Sequence, residues 1–194
     1  MKKIADTEVA INKILAERWS PRAFNPEFII DSNSLLSLLE AARWAPSCYG
    51  DQPWRFVIFQ KCDITSWVGA LNCLSIGNQN WAMDASILIV VCANKVFGHN
   101  KEPNRWAQYD TGASAENICL QAVSLGLSTH QMGGFDEEKI RNLSNIPEQF
   151  DILSIMAIGE ALKEDAFTEQ QRLKEQLPRK RKALNKIYFN NKWK

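Results

Sequence analysis

The chain has 194 residues, the length of a single domain at about 150 residues per domain. Its hydrophobic share of 45% and charged share of 23% are ordinary for a globular protein, which excludes a disordered chain, a collagen and a coiled-coil rod. Twenty-three Lys+Arg against 22 Asp+Glu leave a net charge of +1, without the basic excess of a dedicated nucleic-acid binder.

In chain order, residues 5–18 read as a first helix with Val9, Ile11, Ile14 and Leu15 apolar. A second helix is predicted from Ser34 to Trp44. Leu35, Leu38, Leu39 and Ala42 give it one buried face, Asp31, Ser32 and Ser34 are available as caps, and Pro46 stops it. Arg55 to Phe59 reads as a strand. Ser86 to Cys92 is the strongest strand, and its lack of polar alternation predicts cover on both faces. Residues 97–108 read as a polar loop. A helix follows over 111–125, with Asp110 or Thr111 as its cap and Gly126 beyond its end. Asp136 caps a short helix carrying Ile140 and Leu143, and Ile152 to Ile158 form another buried strand. These elements make an α+β chain with about three strands and no regular βαβ alternation.

Beyond Gly159 the composition changes. Residues 161–186 are charged and lack a core-sized apolar face, although Thr168 and Gln171 have capping-box spacing for a helix ending before Pro178. The aromatic tail, Tyr188, Phe189 and Trp193, has too little apolar surface to fold alone. The expectation is a single domain over 1–194 whose extension, 161–194, wraps the body or a partner subunit.

Five cysteines at 48, 62, 73, 92 and 119 form no Cys-x-x-Cys pair, so neither a zinc site nor a disulfide framework is expected. Reduced thiols, no apolar leader in Met1 to Trp19, and a longest apolar run (Ile87 to Ala93) too short for a bilayer predict a cytoplasmic protein without a membrane segment. No His/Glu/Asp cluster has metal-ligand spacing, no Gly-x-Ser-x-Gly occurs, and no Gly-x-Gly-x-x-Gly fingerprint is present. His130 reads as a satisfied interior histidine. The seven tryptophans suit either core packing or a flat ligand.

Four segments remain. Arg18-Trp19-Ser20-Pro21-Arg22 places two guanidinium groups and a hydroxyl within five residues. A guanidinium fork grips a phosphate with two parallel charged bonds, but such a cluster is equally a solvated charge pair. Ala45 to Trp54 is a Pro-rigidified loop between a buried helix and a buried strand, either a connector or a place for ligand contacts. Gln131-Met132-Gly133-Gly134-Phe135 is a turn whose glycines let a ligand approach backbone N–H groups. Arg179-Lys180-Arg181-Lys182 is a basic run or a solvated tail.

Taken together these blocks resemble the nitroreductase family of FMN-dependent oxidoreductases, from about residue 8 to the C-terminus. Arg18 to Phe24 is similar to the family's Arg-x-Ser-x-Arg-x-Phe opening. Glu40 to Ser47 with Gln52 to Phe56 is similar to its helix-then-loop block, Gln131 to Phe135 with Ile146-Pro147 to its glycine turn, and Arg179 to Lys182 to its basic C-terminal block. The chain departs from the pattern at Gly50, where many members have asparagine. It departs also at Gly133, where many have glutamate, and at Trp81, where some have lysine.

The resemblance implies a mixed β-sheet flanked by helices, an intertwined homodimer with an exchanged C-terminal extension, and FMN at the subunit interface. Carried over, Arg18, Ser20 and Arg181 hold the phosphate and ribityl chain, with Trp19 in the same block and Arg179 a further member. Arg22 stands near the flavin N1 edge and Asn78 at the pyrimidine end. Pro46, Ser47 and Cys48 come from the other subunit, and Gln131, Met132, Gly133 and Gly134 line the ring near N5. No catalytic side chain is implied, because hydride is accepted at flavin N5. The implied activity is ping-pong transfer from NADH or NADPH to nitroaromatic, quinone or similar planar small-molecule acceptors. A specialised FMN oxidase or dehydrogenase, and a flavin-binding module without turnover, are the alternatives.

Overall fold

The computed structural model describes residues 3–193. Seven α-helices and four strands are found among them: α1 (Lys13–Glu17), α2 (Ser32–Arg43), β1 (Trp54–Gln60), α3 (Ile64–Leu71), α4 (Ile76–Ala82), β2 (Ile87–Asn94), α5 (Ala107–Ser124), β3 (Ser128–Met132), α6 (Glu137–Ser144), β4 (Phe150–Gly159) and α7 (Glu169–Glu175). The strands form one sheet in the order β1-β2-β4-β3, and every pairing is antiparallel. The expected α+β architecture is therefore present, with the difference that the pairings within the chain are antiparallel rather than mixed.

Strand β2 explains the two-layer cover. Leu88, Val90 and Cys92 point into a cluster with Phe24, Trp67, Trp81 and Ile140, while Ile87, Ile89 and Val91 point into one with Leu38 of α2 and Ile118 of α5. A strand buried on both faces has no place for polar alternation, which is why its sequence is a continuous apolar run. A bulge between Val91 and Cys92 skips one residue of β4, pairing Val91 with Ser154 and Cys92 with Ile152. The skip changes the parity of β4, so Ile152 and Ile155 share one cluster although three positions apart.

Helix α2 is capped by Asp31, whose side chain accepts from the Ser34 N–H. Asp136 caps α6 in the same way, and Thr168 with Gln171 closes a full capping box on α7. Two predicted boundaries are corrected. The first helix is only Lys13–Glu17, because the Asn12 side chain caps it, accepting from the Ile14 N–H, and residues 5–11 are not helical. Helix α5 starts at Ala107, so Asp110 lies in its first turn and is not its cap. Helices α3 and α4 and strand β3 were not anticipated. Beyond β4 the chain returns to its beginning: the Leu184 N–H donates to Glu8 and the Arg179 guanidinium to the carbonyls of Lys3 and Ala16. No helix among the described residues is long and apolar enough to cross a membrane.

Candidate functional site

The charged blocks from the two ends of the sequence meet in space. A cleft of about 260 Å³ is lined by Lys3, Arg18, Trp19, Ser20, Arg22, Lys174, Glu175, Leu177, Pro178, Arg179 and Arg181. Six cations and a single carboxylate face it. The Arg18 Nη1 lies 3.4 Å from Ser20 Oγ, and its Nε lies 3.4 Å from Glu116. Burial lowers the Arg179 pKa, and the neighbouring charges of Arg18 and Arg181 lower it further. Guanidinium groups held this close repel one another, so the cleft favours an anion, and a phosphate dianion offers the oxygen acceptors that guanidinium forks match. Arg179 is already committed, at 2.6 Å to the Lys3 carbonyl and 2.9 Å to the Ala16 carbonyl. The Lys3 ammonium stands 4.8 Å over the Trp19 ring.

Glu175 was missed by reasoning on sequence. It is 4% exposed, and its Oε1 accepts the Arg22 backbone N–H at 2.7 Å. An acidic residue in a charged helix carries no signal by itself. Its role comes only from the return of the C-terminal segment onto the arginine turn.

The glycine turn forms the second part of the site. Gln131 and Met132 end β3, and Gly133-Gly134 carry the chain toward α6. The Gly134 carbonyl accepts from the Ser75 N–H at 2.9 Å and from the Asn78 side-chain amide at 3.1 Å. Asn78 and the glycine turn are thus neighbours. A Cβ on Gly134 would stand 2.9 Å from Ser75 Oγ and 3.0 Å from Asn78 Nδ2, whereas one on Gly133 would meet nothing within 4 Å. The first glycine faces open space, and the second is fixed by close approach. The Gln131 side chain binds Ser154 and Cys119, and the Met132 side chain is buried in the core, so Met132 presents backbone only.

Pro46, Ser47 and Cys48 stand apart from the first group. None of the three is among the residues that line the arginine cleft. Their loop is held from behind: buried Asp110 accepts the Cys48 N–H at 2.9 Å, and Asp51 accepts the Gly98 N–H at 2.7 Å. Tyr49 at its tip is in the left-handed region (φ 54°) and 85% exposed. Trp81, one of the family departures, packs in the core against Phe24 and His130 and so lines no open surface.

A cleft suited to a phosphate and a glycine turn suited to a flat ring fit an FMN molecule by the chemistry of their donors. The model of the nitroreductase family matches residues 15–67 and 74–160. A relative from Archaeoglobus fulgidus, provisionally named NADH dehydrogenase/NAD(P)H nitroreductase, is 30% identical over 162 residues, covering 81% of this chain and 88% of its own. The oxygen-insensitive NADPH nitroreductase of Helicobacter acinonychis is 28% identical over 78% of this chain and 88% of its own. A crystal structure described as an oxidoreductase containing FMN superposes with a TM-score of 0.88, at 30% identity, over 97% of this chain and 96% of that one. With the arginine block, the glycine turn and the sheet between them all inside these matches, the chain belongs to the nitroreductase family.

Proposed function

We propose that this chain is an FMN-dependent oxidoreductase that carries electrons from NADH or NADPH to nitroaromatic, quinone or similar planar acceptors, the two substrates using one flavin face in turn. The observation that carries the reading is the convergence of Arg18, Arg22 and Arg181 on one cleft, from positions more than 150 residues apart in the sequence. FMN, when bound, supplies the hydride-accepting atom N5. Arg18, Ser20 and Arg181 bind the phosphate and the ribityl chain. Arg22 lies at the N1 edge, where its fixed charge favours the negative charge that reduction develops. Asn78 meets the pyrimidine end, and backbone N–H groups at Gly133 and Gly134 orient the ring near N5. None of these residues exchanges a proton in the reading, which is why the site needs no catalytic acid or base.

We further propose a homodimer in which Pro46, Ser47 and Cys48 reach the flavin bound by the other subunit. The support is that none of the three lines the arginine cleft of its own chain, while the exposed Tyr49 stands at the tip of their loop. The enzyme proposal is tested on the purified protein. A flavin spectrum, heat-released FMN, bleaching under NADH or NADPH without air, and recolouring on adding menadione are expected. Colourless protein that takes up no added FMN would overturn the reading. Flavin that neither nucleotide bleaches would overturn the NAD(P)H donor and leave the specialised oxidase or dehydrogenase and the binding module. Parallel initial-rate lines are expected with menadione, and intersecting lines would overturn the alternation of substrates.

A further inference from the structure

His130 is a half-buried imidazole in β3, three residues before Gly133, and the proposed chemistry does not use it. Its Nδ1 lies 2.8 Å from the Pro21 carbonyl oxygen. A carbonyl only accepts, so Nδ1 carries the proton and Nε2 is bare in the neutral ring. The ring packs on Trp81, with centroids 4.5 Å apart, and Trp81 in turn stacks on Phe24 at 6.2 Å. Pro21 is buried at the centre of Ser20-Pro21-Arg22, the turn that carries one phosphate ligand and one flavin-edge arginine. The next polar group along, the Arg22 N–H, is held by Glu175. The turn is therefore fixed from two sides, by an imidazole on its carbonyl and a carboxylate on its amide.

We infer that His130 is a positioning residue of the flavin cradle: its bond to Pro21 sets the arginine turn against the strand that delivers Gly133 and Gly134. The inference rests on the FMN reading above. The phosphate end and the ring end of the cradle belong to segments 109 residues apart in sequence, and the His130–Pro21 hydrogen bond ties them directly. A rigid ring with a single donor transmits position better than a flexible side chain, because fewer rotamers are left to absorb an error. Burial disfavours the charged imidazole, and the Arg22 charge adds to this, so the ring remains a single-proton donor in the fold.

The test is a fluorescence titration of FMN into apo-protein for wild type, His130→Phe and His130→Asn. The Asn amide nitrogen replaces Nδ1, whereas Phe keeps the ring and loses the donor. His130→Phe is expected to bind FMN about tenfold more weakly, and His130→Asn to stay within about threefold of wild type. Wild-type affinity in His130→Phe overturns the inference alone. Equal losses in both variants also overturn it, since the donor that Asn keeps and Phe lacks would then make no difference. A wild type that binds no FMN overturns the flavin reading and the inference together. If His130→Phe does not fold, nitrogen NMR of histidine-labelled wild type decides. Only two histidines are present, and His99→Gln assigns them. The Nδ1–H tautomer, with a resonance that moves on FMN addition, is expected; the Nε2–H tautomer, or a resonance indifferent to FMN, overturns the inference.

Discussion

Arg179 and Arg181 are two residues apart, yet the structure gives them different work. Arg179 spends its guanidinium on two carbonyls of the N-terminal segment, while among the described residues Arg181 bonds only its neighbour's carbonyl at Lys180 and keeps donors for the cleft. Arg181→Ala and Arg18→Ala should therefore weaken FMN about 10- to 150-fold, the worth of one charge-assisted phosphate contact of roughly 1.5–3 kcal/mol, as read by fluorescence titration. Lysine at either position should restore only part of the affinity, because an ammonium lacks the planar fork. Arg179→Ala should instead lower the stability read by denaturant unfolding by about 1–3 kcal/mol, since the Lys3 carbonyl loses this donor while the Ala16 carbonyl keeps only the Ala5 N–H. His130 adds a pH dependence of known sign. Burial first, then the Arg22 charge, lowers its folded pKa, while the carbonyls of Pro21 and Ser20 oppose this; among the groups facing the ring, Arg22 is the charged one. The unfolded chain takes up the proton near pH ~6.5, before the folded chain does. The contribution is complete above that pH and is lost as the pH falls through the folded value. A melting-temperature series from pH 7.5 to 5.5 should decline, and His130→Asn should flatten it. A wild-type series without slope would contradict the buried neutral ring.

At the scale of elements, the site depends on a sheet whose sequence states its own burial. Ile89 of β2 is fully buried between α2, α5 and β4, so Ile89→Ala should cost about 2–5 kcal/mol in denaturant unfolding without touching any flavin ligand. Gly134→Ala acts on the site itself. Its Cβ would press on Ser75 Oγ at 2.9 Å and on Asn78 Nδ2 at 3.0 Å, pushing the Asn78 amide away from the Gly134 carbonyl it donates to. A loss of about 1–3 kcal/mol in stability is expected, together with weaker FMN binding. Gly133→Ala, which meets nothing within 4 Å, should fold as wild type. What could be read from sequence follows the same physics. The apolar run of β2, the Asp31 and Asp136 caps and the Thr168–Gln171 box are local signals, and each formed where its residues predicted. Strand β3 is short and polar, Ser-Thr-His-Gln-Met, and is a strand only because β4 pairs with it. Helix α1 loses its first turns to the Asn12 cap, a competition that helical periodicity does not record. Glu175 was silent, Asp110 read as a cap and His130 as a satisfied interior histidine, which it is; the partners of all three were hidden because each bond spans 62 residues or more. The arginine and glycine blocks were legible through resemblance, and their meeting in space was not.

The whole molecule leaves apolar surface at its two ends. Val9 is 63% exposed, Ile187 63% and Trp193 88%, and all three lie in the N-terminal segment or the tail beyond β4. Single exposed apolar residues are normal, but a set gathered on two segments that pack together marks a contact surface. The groove between those segments, about 610 Å³ in volume, joins the apolar Val9, Ile11, Leu184 and Ile187 with the charged Asp6, Glu8 and the basic run Arg179 to Lys182. A second copy of the chain is the occupant that the proposed homodimer supplies. Deleting the residues after Leu177 makes the decisive variant, because it removes three things together. It takes away the Arg179 bonds to Lys3 and Ala16, the Arg181 guanidinium and the apolar tail. Loss of FMN alone would follow from Arg181. Loss of both FMN and the dimer is expected, since a stable interface needs roughly 1,200–2,000 Å² and the deletion removes the exposed apolar Leu184, Ile187, Tyr188 and Trp193. The full-length protein offers the complementary measurement. If Pro46, Ser47 and Cys48 belong to the partner's site, flavin should leave as subunits separate, so dilution followed by sedimentation and by flavin fluorescence should give one coincident transition. A flavin-loaded monomer, from dilution or from the deletion, would show that one chain completes the site and would remove the loop from it.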